Sequence, residues 1–387
     1  MNSRVVIQID GTNSVNKGAE LMLESILNEL FRRFENPYVI YNDLCFEDNS
    51  NDNPFTNATR VHVPLFQRPC LNKAMNLFHV KGILAKIGIS FYHRVLWHPR
   101  KVDYLLDASG FYYSDNWNFT DNQISLYTNY LKRMSEMGAK IVYLPQAFGP
   151  FEKKSTQQII SSILQYASLI YVRDDISYSY FKKSRISIDK LKLSGDFTIL
   201  LKADLNPSIY DKYTNCVCII PNSKMITHGK LTKDRYISFV KDVIEICQEE
   251  GRNSFLLNHE GWGDEILCKE IANCTGQEVV TGLSAKEIKD IISKTYLVIS
   301  SRFHGVASAL NCSVPCLSTS WSHKYQMLFD KYRQDDCVLD INSNNYKRQI
   351  NKMLSEDTNM KVRSDLLSIH PSIVEEVEKM WDEVFAL

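Results

Sequence analysis

The chain has 387 residues, room for two domains, and its 44% apolar and 23% charged residues are those of a globular rather than a disordered protein. Lysine plus arginine and aspartate plus glutamate stand at 45 each, so no overall field points to nucleic acid. Its ten cysteines form no CxxC pair, and Cys247, Cys312 and Cys316 lie in apolar runs as small hydrophobes, which argues against a cysteine metal site and for a reduced, cytoplasmic compartment.

Taken in order, residues 4–9, with Val5, Val6, Ile7 and Ile9, form a strand, Asp10 to Ser14 form a polar turn, and a helix starts at Lys17-Gly18-Ala19-Glu20 with Leu21, Ile26, Leu27, Leu30 and Phe31 at helical spacing. No secretory apolar region precedes that strand, and no run approaches the ~18 apolar residues of a membrane span. Tyr38 to Tyr41 is a second strand, and the Asn/Asp-rich stretch 42–60 reads as a long loop. Residues 71–101 interleave apolar side chains with Lys73, Lys81, Lys86, Arg94, Arg100 and Lys101, and no acidic residue occurs between Gln67 and Val102. Such a cationic amphipathic segment fits contact with anionic lipid head groups, or equally a helix pair with solvated lysines.

Strands at 103–106, 141–144, 169–172 and near Leu191 then alternate with helices at 121–137, 155–167 and from Ile176. Residues 203–215 read as a linker, after which the pattern restarts: strands 216–220, 254–257 and 278–280, helices 233–249, 263–274 and 284–293. Strict alternation predicts parallel sheets covered by helices. The expected fold is α/β, two Rossmann-like domains facing a cleft. The N-terminal domain is assigned to 1–204 and the C-terminal domain to 205–370, with a tail helix in 371–387 packing back on the first domain.

The most informative stretch is 296–325. Tyr-Leu-Val-Ile-Ser-Ser is a buried strand, Arg302-Phe303-His304-Gly305 the turn, Val306 to Leu310 a short helix, and Val314 to Leu317 the next strand. Ser322-His323-Lys324-Tyr325 follows. Arginine and histidine at a strand's carboxyl end, beside a helix start and near a lysine, suit a phosphate or a carboxylate. His259-Glu260 ends another strand and is a weaker candidate to assist.

The motifs, in order, resemble those of the polysaccharide pyruvyl transferases: Asn16-Lys17-Gly18-Ala19-Glu20, Asp107-Ala108-Ser109-Gly110, Pro145-Gln146-Ala147-Phe148-Gly149-Pro150, Val172-Arg173-Asp174-Asp175, Gly195-Asp196, Ile220-Pro221-Asn222, and the two clusters around Arg302 and His323. The resemblance implies a GT-B-like fold. It implies transfer of pyruvate from phosphoenolpyruvate, a co-substrate rather than a cofactor, onto two sugar hydroxyls, with a cyclic ketal and phosphate as products. It implies no metal, and an acceptor in a cell-surface polysaccharide or its lipid-linked precursor at the inner face of the cytoplasmic membrane. Under it Arg302 grips the donor's carboxylate or phosphate, His304 is the acid–base group, and Arg173, Lys324 and His323 complete the donor site. Asn16, Glu20 and Asp107 become acceptor ligands, and Phe111, Tyr112 and Trp117 candidates to stack on a sugar or to pack. The competing readings are a GT-B glycosyltransferase using a nucleotide sugar and a non-catalytic glycan-binding relative.

Overall fold

A computed structural model describes residues 4–12, 16–43, 58–62, 101–183, 189–204, 208–227, 229, 231–320 and 324–387. They belong to two units: Met1–Ser14, Ser25–Gly195 and Met380–Leu387 form the first, Val15–Glu24 and Asp196–Lys379 the second. The cationic segment 71–101 lies outside the described residues except for Lys101, and among the described residues no helix is long and apolar enough to cross a membrane.

In chain order the first unit holds β1 (Val6–Asp10), the part of α1 (Lys17–Arg33) from Ser25 on, β2 (Tyr38–Asp43), β3 (Thr59–His62), β4 (Tyr104–Asp107), α2 (Asp121–Glu136), β5 (Lys140–Gln146), α3 (Lys154–Tyr166), β6 (Leu169–Val172), α4 (Asp175–Lys183) and β7 (Leu191–Leu193). The loop expected at 42–60 thus holds the start of β3. The seven strands are parallel in the order β3-β2-β1-β4-β5-β6-β7, so the winding reverses between β1 and β4, where Asp10 pairs in register with Asp107. Thr120 and Gln123 form a capping box at the start of α2, whose buried stripe of Ile124, Tyr127, Leu131 and Met134 joins the core under β5 and β6.

The second unit holds 3-10 turns at Phe197–Leu200 and Ser208–Tyr213, then β8 (Val217–Ile220), α5 (Lys224–Thr227), α6 (Lys233–Glu249), β9 (Ser254–Leu257), α7 (Gly261–Thr275), β10 (Val279–Val280), α8 (Ala285–Lys294), β11 (Leu297–Ser300), α9 (Phe303–Asn311), β12 (Cys316–Thr319), α10 (Lys324–Lys331), β13 (Val338–Leu339), α11 (Asn345–Leu354) and α12 (Glu356–Phe385). Six parallel strands lie in the order β10-β9-β8-β11-β12-β13. β8, β11 and β12 are buried at every residue, as sheets covered on both faces are. Here the winding reverses between β8 and β11.

Three boundaries differ from the sequence reading. The first unit ends at Gly195, not at 204, because residues beyond it are bound to α8: Lys289 Nζ donates to Thr198 O at 2.7 Å, Asp204 N donates to Asp290 at 2.7 Å, and Leu201 packs on Leu21 and Ala285. The stretch read as a linker ends in a 3-10 turn whose Tyr210 and Tyr213 are buried and donate to Glu287 and Glu278. The tail helix starts at Glu356 rather than 371; it runs through Pro371 because Leu366, Ile369, Ile373 and Val377 bury one continuous stripe on both sides of the proline. Its end, Met380–Leu387, belongs to the first unit, where Trp381 is fully buried, Phe385 meets Phe34 and Tyr104 edge-on, and Glu383 accepts from Tyr171.

Candidate active site

The second unit's switch point collects the polar residues. β11 ends in Ser300, whose Oγ accepts from Arg302 N at 3.0 Å and donates to Arg302 O at 2.9 Å, turning the chain into α9. A Cβ on Gly305 would lie 2.5 Å from Ser300 Oγ and 2.9 Å from Ile220 Cδ1, so only glycine lets α9 sit this close to the two strands. From β8, Asn222 Nδ2 donates to Ser301 O at 2.7 Å and ties the crevice together.

Arg302 is read from the sequence as the fork that takes the donor's carboxylate or phosphate; in this structure the fork is already paired. Nε and Nη2 both reach Asp264 Oδ2 at 2.7 Å, and Nη1 pairs with Glu260. Asp264 lies on the first turn of α7, is fully buried, and accepts from Ser223 N and Oγ at 2.9 and 2.8 Å. Burial is the largest influence on each partner: it pushes Asp264 up to about 6 against the lowering effect of the Ser223 hydrogen bonds and Lys224, and Arg302 down to about 10 against Tyr325 and Tyr236.

Glu260 reaches back to α1. Its Oε1 accepts from Asn16 Nδ2 at 3.1 Å, and the two residues form an isolated antiparallel bridge. Asn16 Oδ1 caps α1 by accepting from Gly18 N at 2.9 Å and Ala19 N at 3.3 Å. Glu20 is buried; Lys17 Nζ donates to it at 2.5 Å, and its other oxygen caps α8 through Ala285 N at 3.1 Å. Asn16 and Glu20, read from the sequence as acceptor ligands, cap helices here and bind the start of α1 into this unit.

The His304 ring stands on the first turn of α9. Its Nε2 is 4.0 Å from Asp196 Oδ2, and a Cβ on Gly18 would fall 2.2 Å from its Nδ1. His259, at the end of β9, is buried and held neutral: desolvation, with Arg302 and His304 nearby, pushes it down to about 3. Phe303 meets His304 edge-on with centroids 5.3 Å apart, and Lys324 Nζ lies 5.4 Å from the Phe303 ring centre. Arg302, His304 and Lys324 are therefore neighbours around one strand end; His323 lies outside the described residues. Sequence reading gave no role to Gly18, Asp196 or Asp264. The Gly195-Asp196 pair after a short strand was a usable signal, whereas Asp264 reads as an ordinary first-turn acid.

Arg173, Asp107 and the aromatic candidates belong to the first unit. Asp107 is buried and accepts from Ser109 N, Tyr113 OH and Gln146 Nε2 at 3.1, 2.8 and 3.0 Å, heading a hydroxyl chain through Tyr127 to Tyr143. Its carboxylate, read from the sequence as an acceptor ligand, is thus already held by three donors. Arg173 follows β6 and its N donates to Gln146 O at 3.2 Å, while Asp174 caps α4 through Ser177 N at 2.7 Å. Tyr112 packs on Trp117 and Phe119, and Trp117 donates to Phe111 O at 3.3 Å with its ring half exposed.

Two all-parallel, helix-covered units, each with its crevice at the carboxyl ends of its strands, define a chain of the GT-B type. Solved structures share that fold: Anabaena Alr3699/HepE in complex with UDP and glucose (13% identity, TM-score 0.60, covering 99% of this chain and 100% of that one). Others are WaaG, a glycosyltransferase of lipopolysaccharide biosynthesis (12%, TM-score 0.52, 98% and 99%), and Methanocaldococcus jannaschii UDP-GlcNAc 2-epimerase with UDP-GlcNAc and UDP (10%, TM-score 0.53, 91% and 93%). No curated protein matches the sequence. A model of the family named polysaccharide pyruvyl transferase matches residues 16–323, and the chain belongs to that family.

Proposed function

We propose that the protein transfers pyruvate from phosphoenolpyruvate to two hydroxyls of one sugar, in a cell-surface polysaccharide or its lipid-linked precursor. The carrying observation is the grouping of Arg302, His304 and Lys324 around the β11 end in a pyruvyl transferase. Phosphoenolpyruvate brings about three negative charges, which call for clustered cations and oriented N–H groups. A protonated His304 delivers its proton to the methylene carbon, which becomes a methyl group and leaves an oxocarbenium centre beside the carboxylate. A sugar hydroxyl adds there and returns its proton to His304. Phosphate then leaves, the second hydroxyl closes the ring, and its proton departs with the phosphate. Donor and diol thus become ketal and hydrogen phosphate with no oxidant or nucleotide.

The donor's carboxylate reaches Arg302 by exchange. Asp264 is fixed and its side chain fully buried, but the Glu260 side chain is 24% exposed and is the partner able to give way. Incubation with phosphoenolpyruvate and a panel of galactosyl and mannosyl acceptors tests the proposal, with mass spectrometry for the ketal and an assay for phosphate. Ketal formation lost in Arg302→Ala and His304→Ala is the expected result. Glycosyl transfer from a nucleotide sugar, with no use of phosphoenolpyruvate, would replace this reading with the glycosyltransferase one.

A further inference from the structure

We propose that Asp196 is a positioning residue for His304, orienting the ring through its Nε2. The inference rests on the pyruvyl-transfer reading for what His304 does, but not for the pairing itself. Nε2 is buried and faces Asp196 Oδ2 at 4.0 Å, a distance that a small closure turns into a hydrogen bond. Asp196 is itself fixed. Its other oxygen accepts from Thr198 N at 2.9 Å and Thr198 Oγ1 at 2.6 Å, and its side chain is only 7% exposed. The turn it caps is anchored in turn by the buried Lys289 on Thr198 O. On the ring's other side the close backbone of Gly18 blocks rotation.

A carboxylate on one ring nitrogen sets the tautomer and the orientation of the ring. It also favours the imidazolium, which the first protonation requires. Among the described residues, the other charged or titratable groups around the pair include Arg302 and neutral His259 beside the ring, Lys324 across Phe303, Lys17 next to Gly18, and Lys289 and Tyr332 beyond Asp196. The cations oppose the imidazolium, so the carboxylate sets the sign.

The test is long-range proton–nitrogen NMR of the histidines over pH, with His304 assigned by its loss in His304→Ala. In the unmodified protein the neutral ring carries its proton on Nε2; a proton on Nδ1 overturns the proposal. Asp196→Asn keeps the cap on Thr198 and removes the charge. It should lower the His304 titration by about one pH unit and cut turnover roughly 10–100-fold at unchanged phosphoenolpyruvate affinity. An unchanged titration overturns the proposal, and the tautomer decides should that variant fail to fold. If the unmodified protein consumes no phosphoenolpyruvate, the function reading fails while the tautomer and titration still judge the pairing.

Discussion

Gly18 and His304 are separated by most of the sequence, yet the ring lies so close to the glycine that an added Cβ would stand 2.2 Å from Nδ1. Gly18 belongs to the helix start that Asn16 and Glu20 fasten to the second unit, so the backbone there is not free to retreat. The ring moves instead. Gly18→Ala should reduce turnover about 100-fold, the order expected for a displacement near 1 Å, while circular dichroism stays that of the folded protein. Steady-state kinetics beside a phosphoenolpyruvate titration checks this; parental turnover would mean that His304 does not carry the proton.

Arg302→Ala should both abolish donor binding and destabilise the fold, because it strands buried Asp264. The cost of breaking such a pair is about 3–5 kcal/mol. The double variant Arg302→Ala with Asp264→Asn should recover much of the stability and none of the activity. Urea denaturation of the two variants separates the roles.

Glu260 pairs with Arg302 Nη1, part of the group proposed to take the donor's carboxylate. Glu260→Gln should tighten phosphoenolpyruvate binding by several-fold, in line with the roughly 1 kcal/mol that a partly exposed ion pair contributes. Isothermal titration calorimetry reads this directly. Weaker binding in Glu260→Gln would show that Glu260 orients Arg302 rather than blocking it.

Two groups give stability opposite pH slopes. His259 is depressed from 6.5 to about 3, so its contribution is complete above 6.5 and is lost as pH falls toward 3, where the unfolded chain takes up the proton and the folded one does not. Glu24 is raised from 4.5 to about 7, first by burial and then by Glu20, so the folded state binds the extra proton and stability is lost as pH rises from 4.5 through 7. Glu24→Gln should therefore stabilise the protein by about 1–2 kcal/mol at pH 8 and leave it unchanged near pH 4. Denaturation midpoints at the two pH values check the sign.

Much of this was legible in one dimension. Strand, turn and helix follow from periodicity over a few residues, and parallel strands place residues such as Arg302 and His304 at a common edge. Two positions resisted. Glu20 reads as a first-turn acid of its own helix but caps another, and Asp107 reads as a strand-end ligand and is the buried acceptor of three donors.

By itself the sequence determined the alternating pattern, the two parallel sheets and the presence of an arginine and a histidine at one strand end, since each depends on local spacing. Only the tertiary structure decided that Arg302 is gripped by Asp264 and Glu260, that residues 15–24 join the second unit, and that His304 lies between Gly18 and Asp196. Those are contacts between segments distant in the chain, fixed by how helices pack over a completed sheet, and no local pattern encodes them.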